Sequence, residues 1–424
     1  MWGTSVCRAA LSAAAFLVTI DAGAVSGTLE LQAAVERALA GNPSLALAPI
    51  RREAQSGRLE QAGLGPNPQL SITVEDFLGS GLYEGADQAE TTLSLAWILE
   101  RGKRDRRVAA ARAGLDMLDV DAVIERLDVA GLTTEAFLKV LNDQERLKQA
   151  DSALELGDAV VAAVQARVTA GRSPSADLDR VEADRIWLAL AREDVEHQLL
   201  VSRRELAATW GSSEVDFTQL SGDLYTLPDA GTFESLVGRL GDNPRINRYL
   251  TERRLREAEL ALAQAQARQD WHLQAGVRYY NQGNDAALVA GFQLPLAIRN
   301  RNQGRISEAR AQATLADSER VATRVQIETT LYALHQALTH DLHRFEAIRD
   351  DVLPLAERMV SNAHRAYERG IYGYFDLRDA QLRLLEARAS LREEAYSAHL
   401  NRSRIESLTG VMVPDAGAAA GGRP

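Results

Sequence analysis

This chain of 424 residues has one cysteine, Cys7, and only 5% aromatic residues. A lone thiol excludes a disulfide framework and a thiolate metal site. After residue 24 no uninterrupted apolar run reaches the length of a membrane-spanning helix, so any bilayer crossing must use strands. There is no basic excess either. The formal charge is −11, which gives no footprint for nucleic acid. Also missing are a P-loop, a dinucleotide fingerprint and a Ser-His-Asp constellation. Glu75 and Asp76 are adjacent on a strand pattern, where neighbouring side chains point to opposite faces, so they make a poor acid–base pair. Neither an enzyme nor a cofactor is expected.

The longest apolar run opens the chain, in "MWGTSVCRAALSAAAFLVTIDAGAVSG". Arg8, the segment Ala9 to Ile20 and the small residues Ala22, Gly23 and Ala24 read as a secretory signal peptide, residues 1–24. The run is too short for a membrane anchor. Cys7 precedes it, where a lipoprotein cysteine would not stand, so no lipid anchor is expected.

Four stretches recur in order. "LAGNPSL" (39–45) is echoed by "LGDNPRI" (240–246), and "AWILERGKRDRRVAAAR" (96–112) by "LPLAIRNRNQGRISEAR" (294–310). "AGRSPSADLDRVEADR" (170–185) is echoed by "RGIYGYFDLRDAQLRL" (369–384), and "SRRELAATWG" (202–211) by "NRSRIESLTG" (401–410). Asn42 and Asn243 lie 201 positions apart, Arg112 and Arg310 198, and Gly211 and Gly410 199. A duplicated unit follows, spanning 25–211 and 232–410, with a linker or equatorial segment at 212–231 and a disordered tail at 411–424. Each unit opens with two helical stretches, 30–40 and 43–63, then 232–240 and 244–268. Each closes with a helical hairpin, 103–210 and 302–409. Pro354 is expected to kink the second long helix.

Between these helices the hydrophobic period changes from 3.6 to 2, over 66–77, 90–99, 270–282 and 286–296. Strands of about ten residues with an apolar face can cross a bilayer when tilted. On that reading Leu70, Ile72, Val74, Leu93, Leu95, Leu273, Val277, Leu288, Phe292 and Leu294 face lipid. Ser71, Thr73, Glu75, Thr92, Ser94, Gln274, Arg278 and Gln293 line a lumen. Trp97, Trp271, Tyr279 and Tyr280 suit aromatic girdles. Four strands cannot close alone, so strands of other copies must complete a barrel, and a trimer supplies twelve. A half-buried soluble sheet has the same alternation. The fold class is therefore mixed but mainly α, with coiled-coil helices plus four transmembrane strands per chain.

The duplicated plan, the "NP" helix start, "PNPQLSITVEDF", "RGKR" and "LPLAIRNRNQGRI" resemble the outer-membrane efflux proteins of the TolC family. Within it, the chain resembles the outer-membrane components of cobalt–zinc–cadmium-type metal efflux pumps. The resemblance implies a homotrimer with a twelve-stranded barrel in the outer membrane of a Gram-negative bacterium. It also implies a periplasmic helical tunnel, a periplasmic adaptor and an inner-membrane RND transporter as partners. Trp97 stands where the family usually has Pro, and Arg101-Gly102 where it has Gly-Gly, which affects the strand-to-helix crossing. Drug efflux or type I protein secretion on the same fold is the nearest alternative. A periplasmic coiled-coil structural protein is the non-channel one.

The acidic break "YERGIYGYFDLRDAQ" (367–381) joins the helices of the second hairpin, as "AGRSPSADLDR" does in the first. Ser173 is read as an N-cap with Pro174 at the first helical position. Asp376 and Asp379, three apart, share one helix face. They could equally just cap or solvate the helix. The resemblance assigns them a cation-attracting ring at the periplasmic entrance. It places Asp177 and Tyr367 among the polar contacts that hold the entrance shut. Some members have Arg where this chain has Tyr372. Gly171 and Gly370 would form the turns against which the adaptor docks. His335, His340 and His343, with Asp341 among them, could in principle hold a metal, but read as a solvated helix face.

Overall fold

The two hydrophobic periods of the sequence become two kinds of structure joined end to end. A computed structural model describes residues 27–410. The expected leader and the tail from 411 lie outside the described residues. The elements run β1 (Thr28–Leu29), α1 (Leu31–Gly41), α2 (Leu47–Gly63), β2 (Gln69–Glu75), β3 (Glu90–Leu99), α3 (Lys103–Thr169) and α4 (Ser175–Ala208). They continue β4 (Gln219–Leu220), α5 (Phe233–Arg239), α6 (Pro244–Gln266), β5 (Trp271–Tyr280), β6 (Asp285–Gln293), α7 (Gln303–Ala347), α8 (Leu353–Glu368) and α9 (Tyr374–Thr409).

Helix α3 has 67 residues, a rod of about 100 Å. Its buried residues, among them Leu127, Ala130, Phe137, Leu141, Val160 and Val164, form a narrow seam, the pattern of a helix packed along its length. The second rod is broken. A π-helical turn, Ile348–Val352, separates α7 from α8 and lies just before Pro354. Proline supplies no N–H to the preceding turn and its ring crowds that turn's carbonyl, so the helix widens there. The corresponding part of α3 has no proline and runs unbroken.

Equivalent ends of the two halves use the same device. The Asn42 amide donates to the Thr209 carbonyl at 2.7 Å, and that of Asn243 to Leu408. Gly211 and Gly410, both at positive φ, let the hairpin ends pass against Pro43 and Pro244. A Cβ there would lie 3.1 and 2.8 Å from those rings. The "NP" pair is thus a clasp for the returning helix. Only Asn243 also caps a helix that starts at the next residue; after Asn42 a turn intervenes and α2 starts at Leu47.

The segment read as a linker is packed. Phe217, Leu220 and Leu224 join Leu29, Phe137, Val140 and Leu141 in a core halfway along the rods, where β4 pairs with β1 in parallel. Arg392 crosses there from α9 to Asn142 and Gln149 of α3.

The sheet has the order β2-β3-β5-β6, antiparallel throughout, with β2 and β6 at its edges. Strands stop short of the alternating pattern for local reasons. Asp76 takes a left-handed conformation after β2, and Pro295, which cannot donate to a ladder, follows β6. Leu294 therefore lies beyond the strand.

His399 on α9 bonds the Leu224 carbonyl at 3.1 Å, and burial pushes its imidazole below the usual histidine range. The unfolded chain then binds a proton that the folded chain refuses. Stability contributed by this group is complete above about pH 6.5 and falls below it, by up to about 1.4 kcal/mol per pH unit. The melting temperature of detergent-extracted protein is expected to drop between pH 6.5 and 5, and His399→Gln to flatten that slope.

Candidate functional site

Register assigns every strand residue to a face. Ser71 faces Ser94, Thr73 faces Thr92, and Glu75 faces Glu90. Thr92 in turn lies opposite Arg278, Ala96 opposite Gln274, and His272 opposite Gln293. All eight residues expected in a lumen share this polar face. Its centre is covered by its own side chains. Gln274 donates to Ser94 at 2.7 Å, and Arg278 spans three strands, to Thr92 at 2.9 Å, Glu90 at 2.6 Å and Glu75 at 3.2 Å.

The other face carries Leu70, Ile72, Val74, Leu93, Leu95, Leu273, Val277, Leu288 and Phe292, with Trp97, Trp271 and Tyr279 toward the ends. It is bare: Leu288 is 88% exposed and Leu70 69%. Among the described residues no helix makes an extended contact with the sheet. A soluble sheet hides its apolar side, and this one does the reverse. Tyr280 departs from the expected girdle. It lies opposite Glu90 and so belongs to the polar face, because consecutive residues of a strand alternate sides.

At the far end of the rods, Gly171 (φ +68°) and Gly370 (φ +76°) make the two turns. The Ser173 cap is not formed. Pro174 occupies the N-cap position and α4 starts at Ser175, so no hydroxyl caps its first turn. On the second turn, the Asp376 carboxylate accepts from the Gly373 N–H at 2.9 Å and holds the start of α9. Asp376, Asp379 and Tyr372 are exposed.

Asp177 and Tyr367 do not meet within the chain. Asp177 pairs with Arg180 at 3.6 Å, and that guanidinium lies 5.1 Å from the Phe375 ring. Tyr367 points into the core with Val160, Val164, Val181 and Leu377, its hydroxyl buried without a hydrogen-bond partner among the described residues.

The contacts that tie the two turns together come from residues outside the sequence expectation. Arg167, in the last turn of α3, lies over the Tyr367 ring at 4.4 Å and donates to the Tyr367 carbonyl. Asp184 of α4 accepts from the Tyr374 hydroxyl at 2.6 Å and pairs with Arg378 at 2.7 Å, both on α9. Burial, then donation to Asp184, raises the Tyr374 pKa, so this hydroxyl stays protonated. In sequence Arg167 reads as an ordinary basic residue at a helix C-terminus, and Asp184 is 190 positions from Tyr374. No local spacing links them.

Among the described residues no group of three or more His, Cys, Asp or Glu side chains is arranged to hold a metal ion. His335 bonds the Gly231 carbonyl at 3.2 Å, and Asp341 accepts from Asn401 at 2.8 Å. No helix among the described residues is long and apolar enough to cross a membrane.

A bare apolar sheet face, two open strand edges and rods of tunnel length fit an outer-membrane channel protein. Residues 34–212 match the family model described as outer membrane efflux protein. Over those residues the chain resembles that family, and along most of its length it has the fold of outer-membrane channel proteins. It is 28% identical over 363 residues to the cobalt-zinc-cadmium resistance protein CzcC of Cupriavidus metallidurans, covering 86% of this chain and 85% of that one. Among solved structures it is similar to CusC, with a TM-score of 0.74 and 15% identity, covering 90% of this chain and 92% of that one. It is also similar to the outer membrane protein VceC of Vibrio cholerae, with a TM-score of 0.71 and 21% identity, covering 90% and 97%.

Asp184→Asn removes a charged acceptor from two donors, a loss of about 1–3 kcal/mol at the tip. Limited proteolysis is expected to cut faster at 170–174 and 369–373 in this variant, with the sheet unaffected.

Proposed function

We propose that this chain is the outer channel of a tripartite system exporting divalent heavy-metal cations. It would act as a homotrimer with a periplasmic adaptor and an inner-membrane RND transporter. Three copies supply twelve strands, and each β2 edge pairs with the β6 edge of a neighbour, so that no backbone group is left open in lipid. The polar face then lines the lumen and the bare face meets lipid and its aromatic girdles. The observation that carries the cargo is the likeness to CzcC along most of both chains.

The rods carry the polar path inward from the barrel, and their turns form the entrance. Asp376 and Asp379 are exposed there, and a trimer gathers three copies of each around the axis. Like charges so placed attract cations and oppose closure. Within each copy the Arg167–Tyr367 and Asp184–Tyr374–Arg378 contacts hold the two hairpins together against that repulsion. Asp177 and Tyr372 stand at the rim, and Gly171 and Gly370 turn the chain where an adaptor would dock. Energy for export comes from the inner-membrane partner.

Two outcomes check this reading. A strain lacking the protein is expected to become sensitive to zinc, cobalt or cadmium, with growth restored by the gene. Sensitivity to hydrophobic drugs alone would overturn the cargo. Asp376→Asn with Asp379→Asn keeps the amide oxygen that can cap α9 and removes the charge. It is expected to lower the cation-to-anion permeability ratio in planar bilayers by several-fold, and an unchanged ratio would remove these residues from the entrance role.

A further inference from the structure

Charge is distributed unevenly about the sheet. At the end away from the helices, the connections 76–89 and 281–284 carry Asp76, Glu84 and Asp87 and no lysine or arginine. At the helical end the order reverses. Residues 100–107 hold five basic side chains against two acidic, and residues 297–306 hold Arg299, Arg301 and Arg305 with no acid. The whole chain stands at −11, so this end runs against its average.

Pairs within the chain take up part of that charge. Glu100 binds Arg107, and Asp270 binds Lys103 at 2.7 Å. Arg104 and Arg106 flank the exposed Asp105, which offsets them in part. Arg101, Arg299 and Arg305 are exposed, and none has an ion-pair partner among the described residues.

Two observations put these three on the apolar side of the sheet. The Arg101 guanidinium lies 5.5 Å from the centre of the Trp271 ring, and Trp271 shares the bare face with Leu273 and Val277. Arg299 and Arg305 line a cavity of about 770 Å³ with Leu296, Ile298, Gln269 and Asn300. Leu296 is 74% exposed and Ile298 71%. The cavity thus offers hydrocarbon one wall and an anion the other.

Depth agrees. Register puts Leu99 opposite Trp271 and His272 opposite Gln293, so β3, β5 and β6 reach the helical end together. Arg101 is two residues past Leu99, at most about 7 Å beyond the last ladder pair. A headgroup layer is roughly 5–8 Å deep on each side of the hydrocarbon. Arg101 therefore stands at phosphate depth when the apolar band lies in the core. A neighbouring copy paired on β6 would bring its residues 64–68 alongside, and these carry no charge to neutralise the arginines.

We propose that Arg101, Arg299 and Arg305 form a collar that binds the phosphate of anionic phospholipids, with acyl chains lying against Leu296 and Ile298. Arginine suits the task, because its planar fork donates two hydrogen bonds to one phosphate. The collar rests on the reading that the sheet spans the outer membrane, and on that reading the leaflet is the periplasmic one. It pins the level at which barrel gives way to rods.

The test places purified full-length protein in phosphatidylcholine vesicles with increasing fractions of phosphatidylglycerol brominated on its acyl chains, and in the converse mixture. Bromine quenches tryptophan on contact. Trp97 and Trp271 stand at the boundary, whereas Trp210 packs at the waist and Trp187 near the far turns. The expected result is a roughly five-fold preference for phosphatidylglycerol at about 50 mM salt, the contribution of one arginine at an anionic surface, shrinking toward equality at about 0.5 M. Arg101→Gln with Arg299→Gln and Arg305→Gln should remove the preference and leave quenching by brominated phosphatidylcholine unchanged, which reports an intact barrel. Lysine at the same three positions should restore most of it. Equal affinity in the unsubstituted protein, or a preference that survives in the glutamine variant, overturns the collar. Loss of the preference on adding about 10 mM inorganic phosphate overturns the lipid as its occupant. No quenching by either lipid overturns the membrane reading, and the collar with it.

Discussion

A strand in hydrocarbon must give every backbone N–H and C=O to another strand, because there is no water to take them. This chain has a sheet with two unpaired edges and an apolar face that nothing covers. The rest of the molecule follows from that constraint. The polar face is sealed by its own side chains, with Arg278 reaching across β2, β3 and β5 to two glutamates and a threonine. The helices leave the sheet at one end and run away from it for roughly 100 Å. Among the described residues none of them is long and apolar enough to cross a membrane.

The helical part answers a different demand, that of a wall rather than a globule. Its cores are local clusters strung along the rods rather than one centre. The duplicated clasps Asn42–Thr209 and Asn243–Leu408 return each short helix to the level of the waist, where β1, β4 and the segment after α4 pack. At the far end the two hairpins share an apolar cluster, Val160, Val164 and Val181 with Tyr367, Tyr374 and Leu377, and Arg167, Asp184 and Arg378 add polar contacts around it.

The face assignments were readable because polar and apolar residues alternate so regularly in "QLSITVE" and "ETTLSLAWIL" that one register serves four strands. Tyr280 was misplaced where residue class was weighed above position, since its neighbour Tyr279 already holds the other face. The long helices were readable from composition. The π-helical turn was visible only as Pro354, because the sequence marks the lost hydrogen bond but not how the helix absorbs it. The turn residues Gly171 and Gly370 were visible through conformational need. Their partners were not, because Arg167 meets Tyr367 across 200 positions and no local pattern encodes a contact between hairpins. Ser173 looked like a cap on composition, yet Pro174 moved the helix start one residue on.

The central claim is that open strand edges from several copies close into one pore. The most direct measurement is the conductance of purified full-length protein added to a planar lipid bilayer. The account predicts stepwise increases of uniform size, each the insertion of one closed barrel with an aqueous lumen. Protein that leaves the membrane fraction without detergent and produces no steps at any concentration would contradict it.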